Sequence, residues 1–237
     1  MTLNNTSPIR LCVMQGDGIS PEIMAASLHV LRAAAAKWQI EFAFDEVEVG
    51  LKPLADQGTT FPEASFEAAK AADGVILGPV SHNDYPPADK GGINPSGALR
   101  KRLDLFANIR PAKTRAGFPA RCGKPVDLVV VRENTEGFYA DRNMFQGAGE
   151  FMPTADVALA VRKITRQAST RIAEEAFRLA MQRRKHVTVV HKANILKSTS
   201  GLFLKTVSPL LADASRYPFR RVRSRTDAVC SEQKGSS

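Results

Sequence analysis

Short apolar blocks alternate along the chain with stretches whose apolar residues fall at helical spacing. Ile9–Gln15 is a compact apolar run closed by Gly16-Asp17-Gly18, which predicts a strand and a turn. Ser20-Pro21-Glu22 then opens a helix, with Ser20 at the N-cap, Pro21 at the first helical position and Glu22 near the positive helix end. That helix runs through an Ala-rich stretch to Lys37. Glu41–Val49 alternates imperfectly, as a strand does, and Pro62 starts a helix that reaches Ala72. Gly74–Gly78 is a compact buried strand. The order strand, helix, strand, helix, strand predicts a mostly parallel sheet.

The segment Pro79–Pro95 is long and rich in Gly, Pro and Asp, and loops of that length are often functional. A short helix carrying Leu99 and Leu103 follows it. Leu105–Ile109 and Val126–Val131 read as strands, and Arg110 precedes Pro111, so the first of them is predicted to stop there. Thr165–Lys185 is a long helix with Ile172, Ala176, Leu179 and Ala180 at helical spacing. Val187–Val190 is a strand, and Ile195–Leu211 is helical with a blemish at Gly201. Arg216 to Arg225 holds five arginines, and Ser231–Ser237 is polar and without period, so the tail is predicted to be poorly ordered.

Composition narrows the class. The 237 residues are 43% apolar and 24% charged, which excludes wholesale disorder and allows one large domain or two small ones. No apolar run approaches the ~18 residues of a membrane span, and Met1–Arg10 holds no apolar signal core. Cys12, Cys122 and Cys230 are odd in number and far apart, which fits a reducing cytoplasm rather than a disulfide framework.

The net charge of +9 is uneven. Residues 1–99 carry 6 basic and 12 acidic groups, whereas 160–197 carry 10 and 2. A basic half suits nucleic acid or a small polyanion. Phe177 is the one Phe, Tyr or Trp between 160 and 197, so aromatics for base stacking are lacking and nucleic acid is disfavoured.

Four features carry candidate chemistry. Gly16-Asp17-Gly18 at a strand–helix junction could cradle a phosphate, although a tight structural turn explains it more simply. Arg100, Arg110 and Arg132 fall at strand or helix ends, where three guanidiniums can converge on carboxylates, each with two prongs. Tyr139 follows Arg132 by seven residues across a Gly-containing turn and could act as a general acid. His191-Lys192-Ala193-Asn194 follows a strand directly, where sites of parallel sheets lie. A lysine among other cations is driven toward its neutral form, which makes Lys192 a candidate base.

Taken together, these segments resemble the isocitrate/isopropylmalate dehydrogenase family of β-decarboxylating enzymes. The matching stretches are QGDGISPE (15–22), GALRKRLDLFANIRPAKT (97–114), VDLVVVRENTEGFYADR (126–142), RKITRQASTRIAEEAFRLA (162–180) and VTVVHKANILKSTSGLFLKTV (187–207). The resemblance implies an α/β fold of two domains, isopropylmalate dehydrogenase-like, with its C-terminal return to the first domain missing. It divides the chain into 1–99, the N-terminal part of the cofactor-side domain, 100–212, a second domain with substrate and dimer elements, and a disordered or frameshifted tail over 213–237.

The implied activity is oxidative decarboxylation of a 2-hydroxy di- or tricarboxylic acid with NAD or NADP and Mg²⁺ or Mn²⁺. Arg100, Arg110 and Arg132 match the arginines that hold substrate carboxylates, with Ser96 beside the first. Tyr139 matches the acid that protonates the carbon losing CO2, and Lys192 the base that takes the hydroxyl proton. Asn194 matches a residue near the nicotinamide, and Asp227 a metal ligand. The family implies a homodimer in which Lys192 reaches into the partner's site, a soluble cytoplasmic setting and no membrane.

Two departures stand out. Asn94 lies six positions before Arg100 and Ser96 four, the reverse of the isocitrate pattern, so isocitrate itself is in question. The metal-binding and adenosine-binding stretches that the family carries beyond Leu204 are absent, which predicts a truncated or frameshifted reading frame. An inactive chain that at most pairs with a full-length homologue is the alternative expectation.

Overall fold

The computed structural model describes residues 7–138, 149–212, 217 and, by their backbone, 221–225. The chain forms two compact units, Met1–Leu103 and Asp104–Ser237.

The first unit is a parallel three-stranded sheet, in the order β2-β1-β3, with helical crossovers. β1 (Ile9–Met14) is central and pairs in parallel with β2 (Phe42–Val47) and β3 (Gly74–Leu77). Its Cys12, Val13 and Met14 have no exposed surface, as expected of a strand covered on both faces. The period of two splits them. Val13 faces Met24 and Leu28 of α1 (Ser20–Trp38). Cys12 and Met14 instead face Phe61, Phe66 and Ala69, the last two on α3 (Glu63–Ala71). Leu99 of α4 (Pro95–Arg102) closes that side. A short helix, α2 (Leu51–Gln57), follows β2, where the sequence pattern announces none.

Ser20 is not the N-cap. α1 begins at Ser20, Ile19 stands at the cap position, and the buried Ser20 hydroxyl donates to the Gln15 carbonyl at the end of β1 instead. The nearby main-chain acceptor takes the hydroxyl that would otherwise cap the helix.

In the second unit β4 (Ala107–Lys113) and β5 (Asp127–Glu133) pair antiparallel. β4 runs through Pro111 rather than stopping at Arg110. A strand paired on one side tolerates a residue without an N–H, because the missing donor can face the open edge. β6 (Glu150–Thr154) and β7 (Val157–Ala160) form an exposed antiparallel pair that the sequence pattern did not reveal.

α5 (Arg166–Met181) is capped by the Thr165 hydroxyl, which accepts from Ala168 N–H at 3.1 Å. Its buried stripe of Ala168, Ile172, Ala173, Phe177 and Ala180 packs on β5 and β8 (His186–Val190). Phe177, Val189 and Val207 make the core, with Tyr217 edge-on to Phe177 at 5.0 Å. Val207 belongs to α6 (Thr199–Ala212), which starts later than Ile195, and the Ile195 and Leu196 N–H groups close a separate turn on the Lys192 carbonyl. Within the tail, β9 (Arg221–Arg225) pairs in parallel with β8, so Val222 stands opposite Val187.

Candidate functional site

The site residues of the first unit sit on α4 and at its N-terminal cap. Asn94 is its N-cap, and the Asn94 carboxamide oxygen accepts from Gly97 N–H at 3.2 Å. Ser96 and Arg100 lie one helical turn apart on a shared face, where Arg100 donates to the Ser96 hydroxyl at 3.0 Å. The reversed Asn/Ser order thus has a structural consequence. Asn94 is spent on the cap, and Ser96 is the hydroxyl that accompanies the guanidinium.

Gly16-Asp17-Gly18 does not form a phosphate cradle. The Asp17 carboxylate, 8% exposed, turns into the protein and accepts from Leu51 N–H at 2.6 Å and Ser81 N–H at 3.1 Å. A buried carboxylate repels an anion, so the turn is structural here.

In the second unit the β4–β5 pair brings two of the predicted arginines onto one face. Asn108 stands opposite Arg132 and Arg110 opposite Val130, so Asn108, Arg110 and Arg132 alternate to the same side. Arg110 donates through Nε to the Asn108 carboxamide oxygen at 3.0 Å. Arg110 lies mid-strand rather than at an element end, and both guanidiniums are exposed on the open face of the pair. Asn108 is a polar partner that spacing alone did not single out, although its alternation with Arg110 carries the signal.

The acids after Arg132 serve the fold. The half-buried Glu133 carboxylate accepts from Thr135 N–H at 3.0 Å and Glu136 N–H at 2.7 Å, closing the turn after β5. Glu136, 8% exposed, accepts from Thr165 N–H at 2.8 Å and from its hydroxyl at 2.7 Å. Gly137, at φ +79°, pairs through its backbone with Lys163. Arg171 reaches back from α5 to Asp104 at 2.6 Å and Thr135 at 2.9 Å, with its guanidinium 4.5 Å from the Phe106 ring centre. These bonds hold the chain entering and leaving the arginine-bearing strands. None of them was visible as a motif.

Lys192 and Asn194 share the turn that leaves β8. Ala193 N–H donates to His191 Nδ1 at 3.1 Å, and the Lys192 carbonyl accepts from Leu196 N–H at 2.8 Å. Lys192 is half-buried and Asn194 exposed. Arg162 crosses to the start of α6, donating to Thr199 at 3.2 Å and Ser200 at 3.0 Å. Tyr139 and Asp227 lie outside the described residues. Among the described residues no group of three or more His, Cys, Asp or Glu side chains could hold a metal ion.

Residues 10–222 match the family model described as isocitrate/isopropylmalate dehydrogenase. The chain belongs to this family. It is 36% identical over 207 residues to a 3-isopropylmalate dehydrogenase of Sulfurisphaera tokodaii, covering 87% of this chain and 57% of the relative. It is 39% identical over 206 residues to an isocitrate/homoisocitrate dehydrogenase of Thermus thermophilus, covering 86% and 57%. Among solved structures, the isocitrate dehydrogenase of Methylococcus capsulatus superposes with a TM-score of 0.69 at 34% identity, covering 91% of this chain and 60% of that one. The chain thus spans 57% of the length of these two sequence relatives. Among the described residues no helix is long and apolar enough to cross a membrane.

Proposed function

We propose that the chain acts on a 2-hydroxy di- or tricarboxylic acid of the isocitrate, homoisocitrate, tartrate or isopropylmalate type, as an oxidative decarboxylase. The observation that carries this reading is the shared face of Arg110, Arg132 and Asn108 on β4–β5, within a chain of this family. Two guanidiniums and an amide side by side suit paired carboxylate oxygens, and a second arginine set, Ser96 and Arg100, stands on α4.

In this reading the arginines bind and orient the carboxylates, and Lys192 takes the hydroxyl proton as the hydroxyl carbon becomes a carbonyl. Asn194, exposed beside Lys192, would offer NAD or NADP an amide donor and acceptor, and the bound cofactor would supply the hydride acceptor for that carbon. Tyr139 protonates the carbon that loses CO2. Mg²⁺ or Mn²⁺, when bound, would polarise the new carbonyl as CO2 leaves, with Asp227 as a proposed ligand. The assembly proposed is a homodimer, and the setting cytoplasmic.

The test is NAD(P)H formation by the purified chain with each of the four acids, with Mn²⁺ present. Turnover of one acid, lost in Lys192→Met, supports the reading. No absorbance change with any acid overturns it, and leaves pairing with a longer relative, which size-exclusion of the mixture would show as a new species.

A further inference from the structure

The loop 79–95 leaves the carboxyl end of β3 and delivers the chain to Asn94, Ser96 and Arg100. Its length predicts freedom, yet it is fastened at two points. The first is Asp17. Its carboxylate lies among the three loops that follow β1, β2 and β3, accepting from Leu51 N–H at 2.6 Å, Ser81 N–H at 3.1 Å and the Tyr85 hydroxyl. Ser81 and Tyr85 both belong to the loop. Burial and the neighbouring carboxylate push the Tyr85 phenol well above its ordinary range, so it remains a donor. The second is Thr60, with no exposed surface. Its hydroxyl oxygen accepts from Ile93 N–H at 2.7 Å, and its own N–H donates to the Gly91 carbonyl at 2.9 Å.

The chemistry at the first point selects a carboxylate. All three partners are donors, and a carboxylate is an acceptor only, whereas a carboxamide would turn an N–H toward one of them. The backbone makes room for it as well. Gly50 sits at φ +103°, and a Cβ there would overlap the Asp17 carboxylate. The fastening is therefore built by residues from all three loops rather than by one lucky contact.

We infer that Asp17 is a positioning residue: with Tyr85 it holds the loop 79–95 in the course that presents Ser96 and Arg100 on α4. The inference rests on the polycarboxylate reading for Arg100. It assigns Asp17 no contact with substrate.

The test uses the whole chain with Asp17→Asn and Tyr85→Phe, the second of which removes a single hydroxyl. Amide hydrogen exchange over 81–93 is expected to quicken roughly tenfold or more in both, while the β1 amides of the same unit stay protected. The dissociation constant of whichever of the four acids binds the wild type is expected to weaken by roughly tenfold or more. In an Arg100→Ala background the same substitutions are expected to change it little, because both act through one place. A merely structural role would lower stability in both backgrounds alike without this coupling. Unchanged exchange over 81–93 overturns the inference, and so does a loosened loop with unchanged affinity. If the wild type binds none of the acids, the polycarboxylate reading fails first and the positioning role falls with it. That failure is seen in the wild type, whereas failure of the inference is seen in the variants.

Discussion

Arg132 and Asp127 lie on the same strand and show how much depends on what a side chain faces. Arg132 is exposed on the open side, opposite Asn108. Replacing its planar fork with an ammonium keeps the charge and removes the two-pronged contact. Arg132→Lys is expected to weaken substrate binding by about 1.4 kcal/mol, roughly tenfold in the KM or dissociation constant. Asp127 meets Arg183 at 2.6 Å and Arg184 at 2.9 Å. The Arg183 hydrogen bond, helped by Arg184, holds its carboxyl below the usual carboxylate range. A depressed folded-state value means stability that is present above the ordinary carboxylate value, near pH ~4, and lost as pH falls through the depressed one. Urea midpoints measured from neutral to acid pH are expected to fall less steeply in Asp127→Asn. The arginines were legible as candidates from their place in the chain. The roles of Asp127 and Glu136 were not, because their partners lie up to 57 and 29 residues away in sequence.

At the scale of elements, α5 organises the second unit. Its stripe is readable from spacing, since one helical face carries Ile172, Ala173, Phe177 and Ala180. Phe177 is 1% exposed and touches residues of β8 and α6, so its removal leaves a cavity between them. Phe177→Ala is expected to cost about 3–5 kcal/mol in a denaturant titration. Glu136 ties the turn after β5 to the entry of α5. Glu136→Ala leaves the Thr165 N–H and hydroxyl without that acceptor and is expected to cost about 1–3 kcal/mol by the same measurement. The start of α1 behaved otherwise. Ser20 has the composition of a cap, but a main-chain acceptor at the end of β1 competes for its hydroxyl and wins. Local preference is a matter of about 1 kcal/mol, and a single tertiary hydrogen bond matches it.

At the scale of the molecule, the charge map separates an acidic N-terminal stretch from a basic second half. Nine positive charges in excess would suit a nucleic acid if aromatics accompanied them, but stretches such as 160–197 hold one. Random duplex DNA is expected to show no specific shift at about 0.15 M salt, as weak binding by phosphate contact alone falls steeply with salt. A salt-sensitive but tight complex in a gel-shift assay would count against the polycarboxylate reading of these cations.

The sequence by itself determined the alternation of strands and helices, the parallel sheet of the first unit, the apolar stripe of α5 and the arginine positions that mark the family. Each of these is local, carried by period, turn residues or motif within a few residues. Tertiary structure alone decided that Asp17 is an internal fastener rather than a phosphate turn, that β4 continues past Pro111, that β9 lies along β8, and that Arg110 and Arg132 share a face. Those outcomes depend on register and on which groups are buried together. Both arise from contacts between segments far apart in the chain, where the cost of leaving a donor, an acceptor or an apolar face uncovered outweighs local preference.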